Sequence, residues 1–150
     1  MKRAGKLTAI TVALTMTLTL AGPATNASAG TKAEAKQVLG LHNTERKDHN
    51  ARALSMDAAI ARYAKRHSRH MAKKGYLYHT SSLARVLDNR RWSIAGENVG
   101  VGGDLETIED AFMASTPHRK NILRRSYDEA GIGVYKDDRG LYWVTVIFYG

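Results

Sequence analysis

Ser115-Thr116-Pro117-His118-Arg119-Lys120-Asn121-Ile122-Leu123 is the stretch on which the reading of this chain turns. Thr116 ahead of Pro117 reads as an N-cap followed by proline at the first helical position, where its missing N–H costs nothing. His118 then falls in the first turn of a short helix, near unpaired backbone N–H groups and the positive end of the helix dipole. That position disfavours an imidazolium and predicts a neutral ring, available as a metal ligand or a base. Ile122 and Leu123 supply the apolar side that pins the turn to a core. A lone histidine at a helix start is more often a polar rim residue than a functional one. Its meaning therefore depends on partners elsewhere in the chain.

Upstream, Asp104 caps a predicted helix through Met113, with Leu105, Ile108, Ala111 and Phe112 inward. Before it, residues 94–103, rich in glycine and containing Gly96-Glu97-Asn98, read as a strand. Downstream, Ala130 to Tyr135 and Leu141 to Tyr149 read as two strands joined by a turn at Asp137-Asp138-Arg139-Gly140. In the second, Tyr142, Val144, Val146 and Phe148 alternate with Leu141, Trp143, Thr145, Ile147 and Tyr149. Both faces are apolar, which predicts a central strand covered by helices on both sides.

Toward the N-terminus, Thr31 to about Asn50 reads as a helix with Ala35, Val38 and Leu41/His42 on its buried face. Asn43 and Arg46, three apart on it, are placed to face each other. Asp57 caps a second helix that runs to Lys74 and stops at Gly75. Its face is Ala59, Ile60, Tyr63, Ala64, His67 and Met71. His67 and His70 are one turn apart but lack an HExxH pattern, so they read as helix-face residues rather than a metal pair. A connection, Tyr76-Leu77-Tyr78-His79, leads to a short helix over Ser82 to Asn89 with Leu83, Val86 and Leu87 inward. The predicted class is α+β, helices first, with a small antiparallel sheet closing at the C-terminus.

Length allows one domain plus a processed segment: 150 residues, of which 1–29 read as a secretory signal. Lys2, Arg3 and Lys6 form its positive start, Leu7 to Leu20 an apolar run, and Ala27-Ser28-Ala29 a cleavage site, so the exported domain spans 30–150. No later segment is long and apolar enough to cross a membrane. The net charge is +9, and loss of the three cations in 1–29 leaves +6. That balance suits an anionic cell-envelope neighbour. Without a basic stripe interleaved with aromatics, it gives no ground for specific nucleic-acid binding. There is no cysteine, so the exported domain is expected to be held by packing alone, without disulfides, and to be a monomer.

Taken together and in order, Asn43-x-x-Arg46, His79, Gly96-Glu97-Asn98, Ser115-x-x-His118-Arg119-x-Asn121-Ile122-Leu123, Gly131-Ile132-Gly133 and an aromatic last strand resemble the CAP superfamily, or SCP domain. This is the family of cysteine-rich secretory proteins, antigen 5 and pathogenesis-related proteins, and its bacterial secreted branch is the nearest likeness. The resemblance implies a three-layer αβα sandwich with a surface cleft, lined in many members by two histidines and two glutamates. Matched residue by residue, these are His79, His118 and Glu97, with Ser115 where the second glutamate would stand and Phe112 where a tryptophan would. Asn43, Arg46, Asn98 and Arg119 fall on the family's structural motif.

Two neutral histidines with waters make an open, weak zinc site. Glu97 then either completes it, or orients a water as a base, or accepts hydrogen bonds from histidines and backbone in a purely polar network. In that network Asn98 ties loop to strand and Arg119 pairs with an acid. No cofactor is required by this reading, and Zn²⁺ is the candidate. The resemblance implies a non-enzymatic binding module for a metal, or for a lipid, sterol or cell-envelope ligand. The alternative is a metal-dependent hydrolase of peptide or cell-wall bonds with Glu97 as acid/base, which the substitution at Ser115 disfavours.

Overall fold

The computed structural model describes residues 27–150. The segment read as a signal lies outside the described residues, apart from Ala27 to Ala29, which open the first helix. The elements run α1 (Ala27–Asp48), β1 (Ser55–Met56), α2 (Ala58–Lys74), α3 (Leu83–Val86), β2 (Ala95–Gly102), α4 (Leu105–Ala114), α5 (Thr116–Leu123), β3 (Glu129–Lys136) and β4 (Tyr142–Tyr149).

The four strands form one sheet in the order β1-β3-β4-β2. The β2–β4 and β3–β4 pairs are antiparallel, in registers such as Asn98 opposite Val146 and Ile132 opposite Val146. The predicted sheet was antiparallel throughout, whereas β1 adds a parallel edge, Ser55 and Met56 against Glu129 and Ala130. Two residues are too short a run for alternation to show in sequence.

β4 organises the core. Val144, Val146 and Phe148 point to one face, into a cluster with Val38 of α1, Ile108 and Phe112 of α4 and Ile122 of α5. Trp143, Ile147 and Tyr149 point to the other face, toward Ile60 and Met71 of α2 and toward Leu87. Period-two side chains facing helices on both sides give the three layers.

α2 sits directly against β3. A Cβ on Gly133 would fall 1.9 Å from the Lys65 backbone nitrogen, and one on Gly131 would fall 2.3 Å from Ile60. The two glycines let helix backbone and strand meet. Ser68 fills the remaining gap, its hydroxyl lying 3.0 Å from the Gly133 carbonyl and 2.8 Å from Thr145 Oγ1. Asp57 caps α2 by accepting from the Ala59 and Ile60 amides, and Gly75 ends it at φ 76°. α3 is shorter than predicted, a single turn closed at Leu87.

Two further expectations are corrected. Asn43 and Arg46 do not face each other, because each finds a better partner in the backbone. Asn43 Nδ2 donates to the Leu54 carbonyl at 3.1 Å, and the Leu54 amide donates back to Asn43 Oδ1 at 2.7 Å. Arg46 is wholly buried, and its guanidinium donates to the carbonyls of Arg52, Ile122, Arg124 and Tyr127 at 2.7–3.0 Å. On α4, Ala111 faces out and Glu109 faces in, 5% exposed. Glu109 Oε2 lies 2.6 Å from Nδ1 of the fully buried His42, whose ring stacks on Phe148 at 5.7 Å.

Candidate functional site

The edge strand β2 carries Glu97 and Asn98 side by side, and alternation sends their side chains to opposite faces. Glu97 is 8% exposed, and both its oxygens are hydrogen-bonded. Its Oε1 accepts from His79 Nδ1 and the Thr80 amide, both at 2.8 Å, and its Oε2 accepts from the Thr80 hydroxyl at 2.5 Å. A carboxylate only accepts, so the proton on His79 sits at Nδ1 and Nε2 keeps its lone pair. The His79 side chain is 62% exposed, so that lone pair faces solvent. Of the roles open to Glu97, the geometry matches the hydrogen-bond acceptor that fixes a histidine. Thr80, which supplies two of the three bonds, was missed; a threonine beside a histidine carries no signal of its own.

Asn98 is fully buried and turned to the other side, where its Nδ2 donates to the His118 carbonyl at 3.1 Å. Asn121, one turn further along α5, reaches back to Asn98 Oδ1 at 2.9 Å and to the Glu97 carbonyl at 3.3 Å. Strand and helix are thus tied by reciprocal amide bonds, which set the first turn of α5 against β2. Gly96 leaves room for this tie, since a Cβ there would lie 2.8 Å from Asn121 Oδ1.

The start of α5 differs by one residue from the sequence reading. Ser115, not Thr116, is the N-cap, and it makes no side-chain capping bond. Its amide donates instead to the Ala111 and Phe112 carbonyls, so Ser115 is the shared joint of α4 and α5. His118 still falls in the first turn. Its ring packs on Phe112 at 5.1 Å and has no hydrogen bond among the described residues. Burial, and then the charge of His79, hold its pKa below the ordinary histidine value. The neutral ring expected from helix position is therefore favoured, with burial as the main cause.

Arg119 does not pair with an acid: it donates to His49 Nε2 at 2.8 Å, a nitrogen left free because His49 Nδ1 binds the Glu45 carbonyl at 2.7 Å. His67 is buried, and its Nε2 donates to the Tyr78 carbonyl at 2.8 Å, while His70 is exposed. Among the described residues, no three His, Asp or Glu side chains are gathered closely enough to hold a metal ion. No described helix is long and apolar enough to cross a membrane.

Residues 39–148 match the family model of the cysteine-rich secretory protein family, CAP. The uncharacterized protein YkwD of Bacillus subtilis is 31% identical over 116 residues, 73% of this chain and 45% of its own length. The crystal structure of an extracellular SCP-domain protein from Bacillus anthracis superposes with a TM-score of 0.73 at 28% identity, covering 86% of this chain and 45% of that one. The crystal structure of NaASP2 shares the fold at 14% identity and a TM-score of 0.54, covering 79% of this chain and 80% of that one. The chain spans less than half the length of the curated relatives it matches. With the ordered motif, the three layers and these matches in agreement, the chain belongs to the CAP family of cysteine-rich secretory proteins, although it has no cysteine of its own.

Proposed function

We propose that this CAP domain is a secreted, non-enzymatic binding module whose cleft takes a divalent cation, Zn²⁺ above others, through His79 and His118. The observation that carries this reading is the bond from His79 Nδ1 to the buried Glu97 carboxylate. By fixing His79 Nδ1 as the donor, Glu97 turns Nε2 outward as a ready ligand, the arrangement by which carboxylates orient metal-binding histidines. His118 supplies a second imidazole kept neutral by burial. Two imidazoles leave positions for water, so affinity is modest. The relative NaASP2 has been crystallised with Zn²⁺. Export rests on the signal-like residues 1–29 and on the extracellular relative from Bacillus anthracis.

Hydrolysis is the weaker reading because the Glu97 carboxylate is 8% exposed and three of its roughly four acceptor sites are taken, which leaves little of it to act as a general base. Both Glu97 oxygens are engaged with His79 and Thr80. Calorimetric titration of residues 30–150 with zinc tests the assignment. Wild type should bind, and should bind more weakly below about pH 6, where imidazoles take protons. His79→Ala and His118→Ala should each remove most of the binding. His67→Ala should leave it intact, since His67 is committed to the Tyr78 carbonyl. Ser115→Glu should tighten it by adding a carboxylate at the joint. Loss of binding in His67→Ala with retention in His118→Ala would move the site to α2 and end the cleft assignment.

A further inference from the structure

On the face of the sheet covered by α2, that helix and α3 enclose a cavity of about 400 Å³. Its lining includes Tyr63, Arg66, Ser81, Ser82, Arg85 and Asn89. Asp88 and Arg90 add two more charged residues to the lining. Arg90 is already neutralised, since its Nε and a terminal nitrogen both donate to Asp57. Arg66 and Arg85 have no carboxylate partner among the described residues. Two unneutralised guanidiniums therefore share one polar cavity. The surrounding field has the same sign, for α2 carries Arg62, Lys65, Arg66, Arg69, Lys73 and Lys74 and no acid.

The aromatic wall is stiff. Tyr63 stacks parallel on His67, centroids 6.4 Å apart and planes 9° apart, and His67 is itself clamped by Tyr78 through an edge contact at 4.8 Å and the carbonyl bond. The Arg66 guanidinium stands 5.8 Å over the Tyr63 ring. Cations beside a fixed aromatic ring, with serine and asparagine around them, match a ligand that has an oxyanion, an apolar ring face and hydroxyls. The volume falls within the roughly 300–1,000 Å³ of small-molecule sites and far exceeds a single phosphate. Asp88 adds a reason against a dense polyanion: a carboxylate repels clustered negative charge but accepts hydrogen bonds from hydroxyls.

We propose that this cavity is a binding site for an acidic saccharide unit. The acid group sits on Arg66 and Arg85, the sugar ring lies against Tyr63, and hydroxyls meet Ser81, Asn89 and Asp88. Its lining includes none of His79, Glu97 and His118, and the binding proposed does not depend on metal.

The test is an NMR titration of residues 30–150 with glucuronate, glucose and inorganic phosphate as probes. Glucuronate should bind at millimolar concentration and shift the resonances of α2 and α3, and glucose should bind about tenfold more weakly. Arg66→Ala and Arg85→Ala should each weaken glucuronate about tenfold, the scale of one charge-assisted contact. Both side chains are exposed and without a carboxylate partner, and Arg66→Lys and Arg85→Lys preserve charge if truncation disturbs the fold; these should weaken binding less. Tyr63→Leu should weaken glucuronate and leave phosphate unchanged. Lys73→Ala, outside the cavity, and His118→Ala should change neither. Glucuronate binding indifferent to Arg66 and Arg85, or no binding at tens of millimolar, overturns the site. Equal binding of phosphate and glucuronate, with Tyr63→Leu affecting neither, leaves an anion site and overturns the saccharide.

Discussion

Two histidine–carboxylate pairs stand in this molecule at nearly the same separation, 2.6 Å for His42–Glu109 and 2.8 Å for His79–Glu97. In the first, both side chains are sealed between α1 and α4. Nδ1 and Oε2 are close but poorly aligned for a hydrogen bond, and His42 Nε2 and Glu109 Oε1 have no partner among the described residues. In the second, the carboxylate is buried with both oxygens hydrogen-bonded, while the imidazole is open to solvent. The chemistry is shared and the environment decides its use. A buried pair with both members enclosed can only hold helices together, whereas a buried acid with an exposed histidine presents a nitrogen to a ligand. The difference also shows which half must be satisfied: the rim pair leaves Glu97 nothing to lose, and the core pair leaves polar atoms unmatched at a cost.

Breaking the core pair should produce the largest effect. Glu109→Ala leaves His42 buried without its counterpart, and the domain should lose about 3 kcal/mol in urea denaturation. His42→Leu combined with Glu109→Met should recover most of that loss, because apolar replacement of both members removes the uncompensated groups. A double variant no more stable than Glu109→Ala would show that the pair contributes specific bonding after all. The rim pair should respond in a different currency. Glu97→Ala strands the Thr80 amide and hydroxyl, costing about 1–2 kcal/mol. It should also weaken zinc about tenfold by freeing the His79 ring. Unaltered zinc affinity in a folded Glu97→Ala protein would mean that His79 needs no orientation.

The smallest effect is in pH. His118 has its folded pKa held below its unfolded value, so the unfolded chain takes up the proton first. Stability should fall as pH drops below about 6.5, and the loss should level off once pH passes below the depressed folded value. His118→Gln should flatten that limb in thermal melts across the range. In proton NMR, His79→Ala should raise the His118 midpoint only partway, because burial is the larger cause of the depression.

The sequence carried the elements well where a chemical signal marked their ends. Asp57 and Gly75 bracket α2 as read, and Asp104 starts α4 by accepting from the Thr107 amide at 2.7 Å. It carried the sheet poorly at β1, whose two residues are strand only because β3 lies beside them. Within the site, His79, Glu97 and His118 were legible as a motif, but the partition of labour among them was not. That Glu97 spends itself on His79 and Thr80 depends on where a loop folds back, which no spacing encodes. Glu109 shows the same limit. The periodicity of α4 accommodates either Ala111 or Glu109 inward, and the choice falls to His42, sixty-seven residues upstream and invisible to any local pattern. Arg46 was read as facing Asn43 and Arg119 as pairing with an acid; they bind carbonyls and an imidazole instead, for the same reason.

The Arg46 clasp bears on the order in which the chain acquires structure. Three of the four carbonyls it holds lie 76, 78 and 81 residues further along. A ribosome releases α1 early, yet of these four carbonyls the guanidinium at its end has only that of Arg52 to grip until Ile122 has been added, and lacks the full set until Tyr127. Until then, completing the buried cation's bonds inside the protein is impossible, and closing so long a loop must be offset by contacts made all at once. The first described helix is thus among the last to have its buried polar contacts completed.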